Sequence, residues 1–93
     1  MRFLIRFSYD GTNFKGYQKQ VGYRTIQGEL EDALYKINNN KDVKVVAAGR
    51  TDRGVHAVDQ VAHLDVDVNI TPYKLKRALN SNVSDEIHIN SAM

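Results

Sequence analysis

The chain has 93 residues, room for one domain, and its 42% apolar content with one proline and six glycines suits a packed fold and not a disordered tract. It has no cysteine, which excludes disulfides and thiolate metal sites and fits a reducing, cytoplasmic setting; no apolar run reaches membrane-spanning length, and Arg6 interrupts the N-terminal stretch that a signal peptide would need. The net charge of +2 is too small to declare a nucleic-acid partner, and the basic clusters (Arg2, Arg6, Lys15, Lys19 and Arg24; then Lys74, Lys76 and Arg77) ordinarily mark solvated faces.

In "RFLIRFSY", residues 2–9, Phe3, Ile5 and Phe7 alternate with Arg2, Leu4, Arg6 and Ser8, the period of a strand. "DGTNFKG" breaks it with two glycines. From Thr25 the period lengthens: Ile26, Leu30, Ala33, Leu34 and Ile37 share one helical face, Thr25 suits the N-cap, Glu29, Glu31 and Asp32 favour the N-terminal half, and Asn38 to Asn40 end the helix. "VKVVAA", 43–48, is β-branched and predicts a strand. "VDQVAHLDVDV", 58–68, alternates again, with Val58, Gln60, Ala62, Leu64 and Val66 on one face. Thr71-Pro72 is a cap followed by proline at the first helical position, with Leu75, Ala78 and Leu79 as the stripe behind it. "EIHINSAM" alternates Ile87 and Ile89 as a last strand. The order strand, helix, strand, strand, helix, strand predicts a ferredoxin-like α+β fold, an antiparallel sheet with two helices on one face. That architecture hosts many functions, RNA-binding modules among them, and decides none.

Two segments carry chemistry. "AAGRTDRGVHAVDQ", 47–60, joins the second and third strands through a connection longer than a plain hairpin needs, with Gly49 and Gly54 bracketing Arg50-Thr51-Asp52-Arg53. Arginines at both sides keep the Asp52 carboxylate ionised, the state a nucleophile or general base needs, and Arg50 and Arg53 suit bidentate phosphate recognition. The ordinary alternative is a structural Arg–Asp pair, and for His56 a backbone-capping side chain in place of a proton shuttle. His56, His63 and His88 lack metal-ligand spacing, and no nucleotide-binding glycine loop is present, so neither metal nor cofactor is expected. "NFKGYQKQ", 13–20, mixes Phe14 and Tyr17 with Lys15, Gln18, Lys19 and Gln20; either the aromatics stack on bases beside phosphate-binding cations, or they pack beneath the loop.

"YDGTNFKGYQKQ" followed by "AGRTDRGVHA", with "LNSNVSDEIHI" at 79–89, resembles the tRNA pseudouridine synthases of the TruA type nearly end to end. The resemblance implies that Asp52 is the catalytic nucleophile and that Arg50 handles a flipped-out base; Arg53, His56, Lys15, Gln18, Lys19 and Arg24 stand beside them as candidates for contact with the RNA. It further implies cofactor-free isomerisation of uridine to pseudouridine in the anticodon stem–loop of tRNA, by a homodimer. Attack by Asp52 on the ribose and attack on the pyrimidine ring both remain open. The family usually has tryptophan where Tyr17 stands and proline near Val83-Ser84. Its members are more than twice as long, with a second related domain supplying a stacking tyrosine and a basic partner for the aspartate. On that resemblance the 93 residues form the N-terminal domain, able to fold and to bind tRNA weakly but inactive alone. The competing reading, a non-catalytic RNA-recognition module of the same fold, needs exposed aromatics on the central strands, and "VDQVAHLDV" has none.

Overall fold

The computed structural model describes residues 1–48 and 57–93. Six elements follow the expected order: β1 (Arg2–Tyr9), α1 (Ile26–Ile37), β2 (Val46–Ala47), β3 (Ala57–Asp65), α2 (Pro72–Asn82) and β4 (Ile87–Ala92). The strands form one antiparallel sheet in the order β2-β3-β1-β4, the ferredoxin-like topology.

Alternation along β1 sends Phe3, Ile5, Phe7 and Tyr9 inward, where they join Ala62 and Leu64 of β3 and Ile87 and Ile89 of β4. The helices complete this core with Ile26, Leu30, Ala33 and Leu34 from α1 and Leu75 and Leu79 from α2. Both helices therefore cover one face. The other face presents Leu4, Arg6 and Ser8 beside Val61, His63 and His88. All eight aromatic side chains lie elsewhere, in the core, on the loop after β1 or on the helices, so the open face offers no base-stacking platform of the RNA-recognition kind.

The caps are where the sequence put them. Thr25 is extended, and its hydroxyl accepts from Gly28 N at 3.1 Å. A Cβ on Gly28 would sit 2.9 Å from that same oxygen, so the glycine serves close approach to the cap. At the far end Asn39 and Asn40 take positive φ (55° and 61°), a conformation asparagine tolerates better than most residues, and Asn40 N reaches back to Tyr35 O. Thr71 caps α2 in the same manner as Thr25, accepting from Lys74 N, with Pro72 following.

The expected strand over 43–48 pairs only at Val46–Ala47, opposite His63 and Ala62. Val43 and Val45 are still buried, as alternation requires, but the backbone of Val45 is claimed by α1. Val45 N donates to Glu31 Oε2 at 2.9 Å, and Val45 O accepts from Gln27 Nε2. Side chains of the helix thus substitute for the strand ladder. Likewise β3 stops at Asp65. Val66 remains buried, with its N–H on Met1 O, and the next two amides turn to Asn38 Oδ1.

The candidate nucleic-acid interface

Antiparallel pairing brings the end of β1 and the start of β3 together. Tyr9, the last residue of β1, pairs with Ala57, the first of β3, so the 10–25 loop departs beside the residue that follows the G-R-T-D-x-G-V-H string in sequence. Between Phe7 and Tyr9 the register shifts, with one more residue on β3 than on β1. Such bulges re-aim side chains and recur beside active sites. The turn between α2 and β4 joins the same end, since Asp10 N donates to Glu86 O at 2.9 Å.

The 10–25 loop is held by one arginine. Arg24 Nη1 donates to Glu86 Oε1 at 2.8 Å, while Nη2 reaches both Glu29 Oε1 and Ser84 Oγ at 3.0 Å. The guanidinium carbon stands 4.1 Å from the centroid of the Phe14 ring. Glu29 spends its second oxygen on Ser84 N at 2.8 Å, and Glu86 spends its own on Asn13 Nδ2 at 2.8 Å. Loop, first turn of α1 and α2–β4 turn are thereby tied into one network. Its hydrogen bonds, from Arg24 first and then Asn13, hold the Glu86 carboxyl below the usual carboxylate range, and Glu86 in turn raises Arg24 further above its high ordinary value.

Beneath the loop Phe14 and Tyr17 are buried, and Tyr17 lies against Phe7 and Tyr9 in a cluster of three rings. Of the two uses open to these aromatics, packing is the one the structure adopts. The Tyr17 hydroxyl is buried with no hydrogen-bond partner, and burial, followed by the charge of Glu31, pushes the phenol well above its ordinary pKa.

The loop's cations and amides divide by role. Lys15 is exposed, its backbone N–H fixed on Arg24 O at 2.8 Å. Gln18 is at the surface. Lys19 is largely exposed, with Nζ 3.6 Å from Glu31 Oε1 and its backbone N–H on Gln27 Oε1. Arg24, though partly exposed, commits its guanidinium to two carboxylates, a hydroxyl and the face of Phe14. Asp52, Arg50, Arg53 and His56 lie outside the described residues. An open cleft of about 700 Å³ runs between α1 and residues 42–44, but Glu31, Asp32 and Asp42 outnumber Lys19 and Lys44 along it, a poor lining for phosphate.

Residues 5–93 match the tRNA pseudouridine synthase family. The chain belongs to that family. Among its curated relatives it is 48% identical over 91 residues to tRNA pseudouridine synthase A of Shouchella clausii, covering 98% of this chain and 35% of the relative. The same-named proteins of a Geobacillus species and of Thermosipho africanus are each 49% identical, over 88 and 92 residues, covering 95% and 98% of this chain and 36% and 37% of theirs. The chain therefore spans about a third of the length of the curated relatives it matches.

Sequence reasoning missed three members of this region. Glu29 looked like a dipole-complementing residue and Glu86 was given no role, yet they hold the loop through Arg24. Tyr23 was passed over for Phe14 and Tyr17, yet among the loop's aromatics it is the exposed one. The signal available for Tyr23 was its place beside Gly22, a turn residue.

Proposed function

We propose that this chain carries the nucleophile-bearing half of a tRNA uridine-isomerising site, with Asp52 as nucleophile. The observation that carries the reading is the family match across 5–93, which includes the whole G-R-T-D-x-G-V-H-A segment. The pairing of Tyr9, which leads into the 10–25 loop, with Ala57, which ends that segment, supports it. The substrate is a uridine of a tRNA anticodon stem–loop, taken out of its stack at a cost of a few kcal/mol that protein–RNA contacts offset. The Asp52 carboxylate attacks C1′ or the pyrimidine ring and the N1–C1′ bond breaks; the uracil turns, C5 bonds to C1′, the bond to Asp52 breaks, C5 gives up its proton and N1 takes one up. Arg50 fills the vacated space and keeps Asp52 ionised, Arg53 and His56 line the same loop, and Lys15, Gln18 and Lys19 meet the RNA backbone. The working enzyme is a cytoplasmic homodimer in which residues beyond these 93 supply the opposite wall. The reaction uses no cofactor.

The test uses the protein expressed from the full reading frame that contains this sequence, and tRNA tritiated at uracil C5. Asp52→Asn is isosteric but not nucleophilic, so tritium release should vanish while tRNA affinity stays within a few fold. Substantial residual release would remove Asp52 from this role. The 93-residue chain by itself should form no detectable pseudouridine, because one wall of a cleft cannot hold the required geometry.

A further inference from the structure

At the tip of the 10–25 loop two apolar side chains point into solvent: Val21 is fully exposed and Tyr23 is 56% exposed. The tip is a tight turn, with Gly22 at φ +82° and Tyr23 N on Gln20 O at 3.3 Å. A Cβ on Gly22 would meet nothing within 4 Å, so this glycine is there for its backbone conformation and not for space. The base of the turn is fixed three times, by Lys15 N on Arg24 O, by Lys19 N on Gln27 Oε1, and by the Arg24 network described above. A braced turn that displays a tyrosine is costly in water and pre-organised for a contact.

The surroundings state what kind of contact. The ring of Tyr23 has no aromatic or cationic neighbour among the described residues. Lys15, whose backbone N–H meets Arg24 O at the base of the turn, is exposed and has no carboxylate partner among the described residues, and Lys19 is only loosely paired. The hollow of about 310 Å³ beneath the tip is lined by Tyr23, Lys19 and Arg24 with Glu29 and Asp32; Arg24 and Ser84 N already engage both oxygens of Glu29, which leaves Asp32 to accept from a base amino group. A flat, solvent-facing π-face on a braced turn, with two lysines near its base for a backbone, is the chemistry of an unpaired nucleobase with its phosphates directed outward.

Accepting the proposed function, we propose that Tyr23 stacks on an unpaired base of the tRNA substrate, away from the isomerised uridine, with Lys15 and Lys19 on the adjoining phosphates.

The experiment measures binding by the full-reading-frame protein to an unmodified tRNA transcript and to a fully paired RNA duplex of similar length, at several salt concentrations. Tyr23→Ala should weaken tRNA binding about tenfold, the loss of one stacked base, with no change in salt slope or in duplex binding. Tyr23→Phe keeps the π-face and should stay within about twofold of the wild type. Lys15→Ala should instead lower the salt slope by about one. The exposed position of Tyr23 leaves the fold intact in both tyrosine variants, which their thermal midpoints will verify. Wild-type affinity in Tyr23→Ala, including the case in which only its oligomeric state changes, overturns the assignment and marks the tip as a protein contact or a bare turn. Equal losses on tRNA and duplex also overturn it, because duplex offers no unpaired base. A wild-type protein that binds no tRNA at all would instead sink the proposed function itself.

Discussion

The loop after β1 and the open face of the sheet use the same residue types to opposite ends. On the open face Arg2 meets Asp65 at 3.0 Å and Arg6 meets Asp59 at 2.6 Å, each a cross-strand pair with both side chains about half exposed or more. In the loop Arg24 meets Glu29 and Glu86, whose side chains are 19% and 26% exposed, together with a serine and an aromatic ring. Exposed pairs contribute little, since water and salt screen them and two long side chains lose entropy to make one contact. A guanidinium whose donors are shared among three acceptors, over a ring that excludes water from one side, contributes more and leaves two carboxylates stranded when removed. An arginine–carboxylate pair is therefore no guide to importance until its surroundings are known.

The comparison breaks most visibly at Arg24. Arg24→Ala should destabilise the fold by about 2 kcal/mol, a drop of several degrees in Tm, through lost charged hydrogen bonds and the lost stack on Phe14. Arg24→Lys keeps the charge but not the planar fork and should recover less than half of that loss. A Tm unchanged in Arg24→Ala would place the loop network on the same footing as the open-face pairs.

Tyr17 gives the next effect, in the other direction. Tyr17→Phe removes a buried hydroxyl that has no partner and should stabilise the chain by about 1 kcal/mol, read as a rise in Tm. A fall in Tm would mean that the hydroxyl is satisfied in solution.

Acid titration sharpens the contrast further. The folded-state pKa of Glu86 is depressed below the ordinary 4.5, so its contribution is fully present above that value and is lost as pH falls through the folded pKa. Asp65, depressed from 3.8 by its hydrogen bond to Arg2, has the same sign over a lower window. Carboxyl chemical shifts followed by NMR should show Glu86 returning toward its ordinary value in Arg24→Ala, and Asp65 doing so in Arg2→Ala. The smallest effect is on stability in that last variant: Arg2→Ala should leave Tm unchanged within error at moderate salt, and a clear drop would show that the open face is more than a solvated surface.

Much of this was legible along the chain. The inward alternation of Phe3, Ile5 and Phe7, the helical face of Ile26, Leu30 and Leu34, and the threonine caps at 25 and 71 are local patterns, and the structure keeps each of them. The 43–48 segment was only half legible: burial of Val43 and Val45 follows from alternation, but not the capture of Val45 by Glu31 and Gln27 from a helix. The candidate site divides in the same way. The motif at 49–56 named its residues by type and spacing, and the structure adds the place where that segment rejoins the sheet.

By itself, then, the sequence determined the periods, the caps and the family, because each is carried by neighbouring residues or by a contiguous string. The tertiary structure alone decided which charges are spent and which remain available. Arg24, grouped by sequence with Lys15 and Lys19, is occupied by acids 5 and 62 residues away. Phe14 and Tyr17 are turned inward while Tyr23 is turned out. Those outcomes depend on which distant groups the fold brings within hydrogen-bonding or packing range, and no local pattern encodes that distance.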